Sequence, residues 1–155
     1  MAVTQAEVEI GRRLFVEGWG GNTPDAFVPF VTEDFVMRDI VGHSAPMRGH
    51  KAVMDFWGFV AGNLKVMPEE IFVSENGVAL TWMAYIRIND DSHGAENKGR
   101  WQCGEGMSRL EFRNGKVCLE VDYWHGPQGI CDDWEKHLKG RAAMSRAERG
   151  AITGA

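Results

Sequence analysis

Residues 101–124 read WQCGEGMSRLEFRNGKVCLEVDYW, and they are the most informative segment about the fold. Apolar residues recur in it with the period of two that is typical of β-strands. Asn114-Gly115 divides the stretch, and this dipeptide favours a tight hairpin turn because both residue types tolerate a positive φ. The sequence therefore predicts two long antiparallel strands, 101–112 and 116–124.

Further strands precede this hairpin. Asn76-Gly77 is a second hairpin signal, and it joins two more runs with strand periodicity. Residues 89–99 are polar and contain glycine, and this segment is long enough to be a mobile loop. The additional strands are predicted at 35–41, 66–74 and 78–88.

Helical periodicity is concentrated before residue 64. Thr4-Gln-Ala-Glu7 is a capping box, and it begins a helix that ends at the glycine-rich segment 18–21. A short helix is predicted to start at Thr23-Pro24-Asp25, and Pro29 limits its length. A third helix is predicted over 51–64, where apolar residues recur at helical spacing.

This order of elements predicts the α+β class, with a cone-shaped barrel made of a curved antiparallel or mixed sheet that wraps around three N-terminal helices. We expect a single domain over residues 1–130. Residues 131–155 are predicted to form a charged C-terminal helix with Trp134 and Leu138 on one side, followed by a frayed tail.

Composition and charge exclude several classes of function. The chain has 155 residues and a net charge of −5, so it lacks the basic surface that nucleic acids or anionic membranes require. No apolar run is long enough to span a membrane, and no leader segment is visible at the N-terminus. Three cysteines without a C-x-x-C spacing favour free thiols. We therefore expect a cytoplasmic protein.

No pattern in the sequence indicates a metal or another cofactor. The five histidines show none of the spacings that are typical of metal sites. No phosphate-binding loop is present, and Gly104-Glu-Gly106 is predicted to be a bulge in a bent strand. We expect no cofactor.

The last predicted strand has two different faces. By strand alternation, Glu120, Asp122 and Trp124 lie on one face, and Leu119, Val121 and Tyr123 lie on the other. We expect the first face to line a pocket and the apolar face to form a homodimer interface.

Three local strings carry a resemblance to a known superfamily. They are FVMRDIVGH (35–43) followed by MRGHKAVMDF (47–56), FRNGKV (112–117) and EVDYW (120–124). Together with the order of elements over residues 4–126, they resemble the nuclear transport factor 2-like superfamily. This superfamily includes ketosteroid isomerase, SnoaL-like polyketide cyclases, scytalone dehydratase and limonene epoxide hydrolase. Because one scaffold hosts several reactions, the resemblance implies the fold more strongly than the chemistry.

The resemblance implies two acidic site residues. Asp39 falls where ketosteroid isomerase has its proton-shuttling base; alternatively, it caps the turn at residues 42–44. Asp122 falls where the cyclases and epoxide hydrolases keep a cavity acid or base; alternatively, it pairs with Arg100 or Arg109 on the neighbouring strand. Glu120 shares the face of Asp122, so one of the two carboxyls is expected to hold a proton.

The sequence also departs from the known relatives. The oxyanion-hole positions of ketosteroid isomerase hold Phe15 and Ser108, and Trp82-Met-Ala84 replaces the Arg-x-Asp of the epoxide hydrolases. We expect the Trp82 indole to donate to a substrate oxygen. His43 and His125 are further acid or base candidates at the cone mouth. The predicted substrate-binding residues are Phe15, Trp19, Met37, Phe56, Trp82, Ser108, Glu120 and Trp124.

These residues predict a cofactor-independent acid–base enzyme. The expected reaction is that of a lyase or isomerase: dehydration, retro-aldol cleavage, cyclisation or double-bond shift on a small hydrophobic, cyclic or aromatic hydroxy or keto compound. The alternative is a noncatalytic domain for small-molecule binding or assembly. A further alternative is an epoxide hydrolase.

Overall fold

The computed structural model describes residues 2–43 and 45–144. Its α-helices are α1 (Gln5–Arg13), α2 (Gly49–Trp57) and α3 (Trp134–Ala142). Its strands are β1 (Val31–Asp39), β2 (Met47–Arg48), β3 (Leu64–Val73), β4 (Val78–Arg87), β5 (Trp101–Arg113) and β6 (Lys116–Cys131). Short helical segments are the π-helix Leu14–Trp19 and the 3-10 helices Val28–Phe30, Gly58–Val60 and Ala95–Asn97.

The six strands form one open, mixed sheet in the order β2-β1-β6-β5-β4-β3. Strands β1 and β6 run parallel, and the other neighbouring pairs are antiparallel. The parallel pair has a functional consequence because its register places Asp39 of β1 beside Asp122 of β6. The predicted α+β class with a cone-shaped sheet is confirmed.

The capping box at the start of α1 is confirmed. The Thr4 hydroxyl accepts the Glu7 backbone N–H at 3.2 Å, and the Glu7 carboxylate accepts the Thr4 N–H at 2.9 Å. The helix then widens into the π-helix, which buries Leu14, Phe15 and Trp19 against the sheet. This segment carries two of the aromatic side chains that line the cavity.

Two of the predicted helices differ from the structure. The segment that starts at Thr23 is a turn followed by the 3-10 helix, because Pro29 has no N–H to continue an α-helix. Helix α2 ends at Trp57, seven residues before the predicted end. Gly62 then takes a φ of +78°, which breaks the helix and lets Leu64 begin β3.

Both hairpin signals are confirmed. Asn114 and Gly115 have φ values of 54° and 73°, as a two-residue turn between long twisted strands requires. The residues on either side of this turn, Arg113 and Lys116, are register partners. Strands β3 and β4 are antiparallel across the turn that contains Asn76-Gly77.

The two faces of the sheet are covered differently. The main core lies between the concave face and the N-terminal helices. Helix α3 covers part of the other face, where Trp134 and Leu138 pack on Met83, Tyr85 and Cys103. The predicted frayed tail falls on 145–155, outside the described residues. No helix in the described ranges is long and apolar enough to cross a membrane.

Candidate active site

A cavity of about 600 Å³ lies between the concave face of the sheet and the helical segments. Its walls are mainly aromatic and aliphatic. Predicted wall residues that line it are Phe15, Trp19, Met37, Phe56, Trp82 and Trp124. A cavity of this volume accommodates a small organic molecule.

Three carboxyl groups lie at the floor of this cavity. Asp39 is 3 % exposed, Glu120 0 % and Asp122 7 %, and all three line the cavity. They meet because β1 and β6 are parallel neighbours and because Glu120 and Asp122 alternate onto the same face of β6. Among the described lining residues there is no lysine or arginine. All three carboxyls at this floor instead accept hydrogen bonds from neutral donors.

Two indoles hold the Glu120 and Asp122 pair. The Trp19 Nε1–H donates to the Glu120 carboxyl, at 3.0 Å from Oε1 and 3.2 Å from Oε2. The Trp82 Nε1–H donates to Ser108 Oγ at 2.8 Å, and the Ser108 hydroxyl donates to Asp122 Oδ1 at 2.5 Å. Because Trp82 occupies a lone pair of the Ser108 oxygen, the hydroxyl proton is directed to Asp122.

The surroundings separate the pKa values of these two carboxyls. Burial, the Asp122 charge and a hydrogen bond to Asp122 raise the pKa of Glu120 well above its usual range. Burial also raises the pKa of Asp122, to about 6, and the Asp39 charge raises the Asp122 pKa as well. The hydrogen bonds that Asp122 accepts from Ser108 and Glu120 act in the opposite direction and lower this pKa. The environment therefore favours the neutral form of Glu120, which donates to the Asp122 carboxylate.

Asp39 caps a turn and also faces the cavity. Its Oδ1 accepts the backbone N–H of Val41 at 3.0 Å, that of Gly42 at 2.6 Å and the Trp124 Nε1–H at 2.8 Å. A Cβ at Gly42 would lie 2.7 Å from Asp39 Oδ2, so glycine is needed for this close approach. The capping alternative is thus observed, and three donors converge on one oxygen of Asp39.

Glycine also makes room for Trp82. The predicted bulge is present as a register shift between Cys103 and Glu105. Three positions beyond Cys103, a Cβ on Gly106 would lie 2.4 Å from the Trp82 ring. The Trp82 ring therefore packs on β5 at Gly106, which has no side chain, and the indole N–H donates to Ser108.

Two expectations about hydrogen bonding are wrong. The Trp82 N–H is already donated to Ser108, so it is not available to a substrate oxygen. Asp122 does not pair with either arginine: Arg100 contacts Asp132 at 2.6 Å, and Arg109 contacts Glu111 at 3.5 Å on the opposite face of the sheet. Strand alternation is the reason, because it turns Arg109 away from the cavity.

The histidines differ in their placement. His125 is exposed and lines the cavity, as does His93 from the loop between β4 and β5, which contacts Gln102. His43 is not among the described lining residues, contrary to the prediction. Its Nδ1 lies 2.6 Å from the Ala45 carbonyl oxygen, and its ring packs edge-on against Phe56.

Trp57 and Phe59 are among the lining residues that were not predicted. Trp57 lines the cavity and packs edge-on against Trp19, and its indole nitrogen is buried without a partner among the described residues. Phe59 also lines the cavity although it is 79 % exposed, so it marks the opening. Helical spacing identified Trp57 as apolar-facing, but only the end of α2 at this residue explains its position.

No group of three or more His, Cys, Asp or Glu side chains is placed to hold a metal ion within the described part of the chain. The three floor carboxyls are instead held by indole, hydroxyl and backbone donors. Their arrangement suits proton transfer because one carboxyl is neutral and its neighbour is ionised at the same pH.

Residues 12–120 match the model of the SnoaL-like domain family. The chain belongs to this family. No curated protein sequence matches this SnoaL-like protein. Solved structures share its fold, and they include NTF2-like and ketosteroid isomerase-like proteins.

Three of these structures illustrate the likeness. A candidate SnoaL-like polyketide cyclase from Jannaschia sp. CCS1 has a TM-score of 0.60 and 16 % identity, over 94 % of this chain and 99 % of its own. TerC, co-crystallised with polyporic acid, has a TM-score of 0.59 and 13 % identity, over 78 % and 92 %. A protein with a ketosteroid isomerase-like fold from Catenulispora acidiphila DSM 44928, in complex with trimethylamine, has a TM-score of 0.58 and 17 % identity. The match covers 78 % of this chain and 86 % of that protein. At these identities the likeness shows the fold alone.

Proposed function

We propose that this SnoaL-like protein is a cofactor-independent acid–base enzyme, a lyase or isomerase of small cyclic or aromatic hydroxy or keto compounds. The observation that carries the proposal is the buried pair of Glu120 and Asp122 at the floor of an aromatic cavity, where burial raises the pKa of both carboxyls. Such a pair provides a proton donor and a proton acceptor at the same pH.

Asp122 is the proposed general base. Its pKa of about 6 leaves it ionised at pH 7 and still basic enough to accept a proton from carbon or from a hydroxyl group. Glu120 supplies the proton, directly or through Asp122, to the oxygen or leaving group. Asp39 is the weaker candidate for the base because three donors converge on one of its oxygens, and its charge supports the basicity of Asp122.

The cavity favours neutral, flat substrates. Its aromatic walls suit a ring, and its carboxyls disfavour an anion because no lysine or arginine lies among the described lining residues. The neighbours of the same fold include candidate polyketide cyclases and TerC with polyporic acid, which supports a cyclic substrate. Dehydration, retro-aldol cleavage, cyclisation and double-bond shift all need only the two proton-transfer roles.

One observation favours a second candidate function, a noncatalytic binding domain. Three of the cavity indoles, Trp19, Trp82 and Trp124, already donate to protein acceptors, so they do not stabilise a developing oxyanion. Phe15 offers no donor either. Epoxide hydrolysis ranks below both because the cavity has no arginine among its described lining residues to act with a carboxylate on water.

Kinetics on substitution variants test the proposal. A panel of neutral cyclic hydroxy and keto compounds is first screened for turnover by absorbance and mass, with and without EDTA. We expect Asp122→Asn to lower kcat by about 100- to 10,000-fold with little change in KM, because it removes the base and keeps the shape. Glu75→Gln, at an exposed turn, is the matched control.

The outcomes separate the candidates. Loss of turnover in Asp39→Asn but not in Asp122→Asn would assign the base to Asp39 and contradict our assignment. Compounds that raise the melting temperature but are never converted would support the binding domain. Activity that EDTA abolishes and an added metal restores would overturn the cofactor-independent mechanism.

We also propose a homodimer in the cytoplasm. Tyr123 is 51 % exposed, and its register partner Met107 is 41 % exposed, on the sheet face opposite the cavity and beside the part that α3 covers. Leu119 and Val121 share that face, half-buried and buried. Sedimentation should give a mass of twice the 17.3 kDa of the chain. Met107→Glu should lower this sedimentation mass, because it places a charge in the proposed interface. A monomer at micromolar concentration contradicts the dimer.

A further inference from the structure

Two cysteines lie side by side under α3. The sulfurs of Cys103 and Cys131 are 3.4 Å apart, although 28 positions separate the residues in the chain. They belong to the adjacent strands β5 and β6, where Trp101 is the register partner of Cys131 and Gly129 that of Cys103. The third cysteine, Cys118, contacts the Glu111 carbonyl oxygen elsewhere in the sheet.

We propose that Cys103 and Cys131 form an oxidation site that a hydroperoxide converts reversibly into an intramolecular disulfide. The sulfurs are 3.4 Å apart, and Cys131 is the final residue of β6, so the movement that brings them to bonding distance takes place at a strand end. The inference is independent of the proposed acid–base function because it uses neither Asp122 nor Glu120.

The surroundings of the two thiols set the order of events. Cys131 is half-buried and meets the oxidant, whereas Cys103 is buried, and burial raises its pKa to about 12. The Cys131 thiol loses its proton, and the thiolate attacks one peroxide oxygen as the O–O bond breaks. This gives a sulfenic acid and hydroxide, which the thiol proton converts to one water molecule. The Cys103 sulfur then displaces hydroxide from the Cys131 sulfur, and the Cys103 thiol proton converts this hydroxide to water.

Two electrons pass from the cysteine sulfurs to the peroxide. The two sulfurs lose two electrons in total as the S–S bond forms, and hydrogen peroxide gains both as it becomes two molecules of water. A dithiol reductant reverses the step by thiol–disulfide exchange. No other reactant is required.

The bond would connect α3 to the cavity wall. Cys131 lies two residues before Asp133, whose side chain caps the N-terminus of α3 by accepting two backbone N–H groups. Cys103 packs beneath this helix and also lines the cavity. Oxidation therefore secures the N-terminus of α3 to β5, and it closes a loop that contains the two active-site carboxyls.

Intact-protein mass spectrometry and thermal unfolding test the site. Treatment of the full chain with dilute hydrogen peroxide should lower the mass by about 2 Da. It should also raise the melting temperature on the order of 5–10 °C. Dithiothreitol should reverse both changes, and unreduced peptide mapping should link Cys103 to Cys131.

Three variants complete the test. Cys131→Ser should abolish the mass loss and the thermal shift, and Cys118→Ser should retain both. Cys103→Ala, which keeps an apolar group at the buried position, should behave like Cys131→Ser. Oxygen addition at single cysteines without loss of hydrogen, or a disulfide that involves Cys118, would overturn the proposal.

Discussion

Replacement of Asp122 by asparagine should stabilise this protein above pH 6 while it removes the proposed base. The carboxyl of Asp122 is 7 % exposed and lies near Glu120 and Asp39 without a basic partner among the described residues that line the cavity. Its ionised form therefore costs folding free energy. Asparagine keeps the size and can still accept the Ser108 hydroxyl, but it carries no charge.

The magnitude follows from the pKa of Asp122, which is 3.8 in its ordinary state and about 6 in the folded protein. Because the folded pKa is the higher one, the folded state binds more protons, and the contribution to stability falls as the pH rises from about 4 to about 6. A difference of about two pKa units corresponds to about 3 kcal/mol of unfolding free energy above this window. In Glu120 the raised pKa extends the same trend to higher pH.

Urea unfolding between pH 4.5 and pH 8 measures this effect. Asp122→Asn should be more stable than the wild type by about 3 kcal/mol at pH 8, and by only about 1 kcal/mol at pH 4.5. The exposed control Glu75→Gln should stay within about 0.5 kcal/mol of the wild type at both pH values. An Asp122→Asn variant that is equally or less stable than the wild type at pH 8 would show that ionised Asp122 does not destabilise the folded protein.

Two further predictions concern the groups around Asp122. The rate at which any substrate is converted should rise with pH through about 6, as Asp122 ionises. Ser108→Ala should move this rise in the pH–rate profile to higher pH, because the Ser108 hydrogen bond lowers the Asp122 pKa. A rise at an unchanged pH would exclude Asp122 as the titrating base. Gly106→Ala should cost about 1–3 kcal/mol in urea unfolding because its Cβ would lie 2.4 Å from the Trp82 ring. Gly104→Ala, whose Cβ would meet its nearest atom at 3.7 Å, is the control and should cost clearly less.

The local elements of this fold could be predicted from the sequence. The capping box at Thr4 and the turn at Asn114-Gly115 are signals that act within a few residues, and the structure contains both. The alternation of β6 also predicts which face Glu120 and Asp122 occupy, because the period of a strand is independent of its neighbours. The fold class follows from these elements and their order, whereas the resemblance to the superfamily also required the three local strings.

Only the tertiary structure determines which groups of the site contact and hydrogen-bond each other. The parallel pairing of β1 with β6 places Asp39 beside Asp122, and no local pattern encodes the register of two distant strands. The acceptor of an indole N–H likewise depends on the packing of several elements. Thus Trp82 donates to Ser108, and Trp124 donates to Asp39 across 85 positions of the chain. Burial among these elements also separates the carboxyl pKa values, because desolvation of an ionised group exists only once the core is assembled.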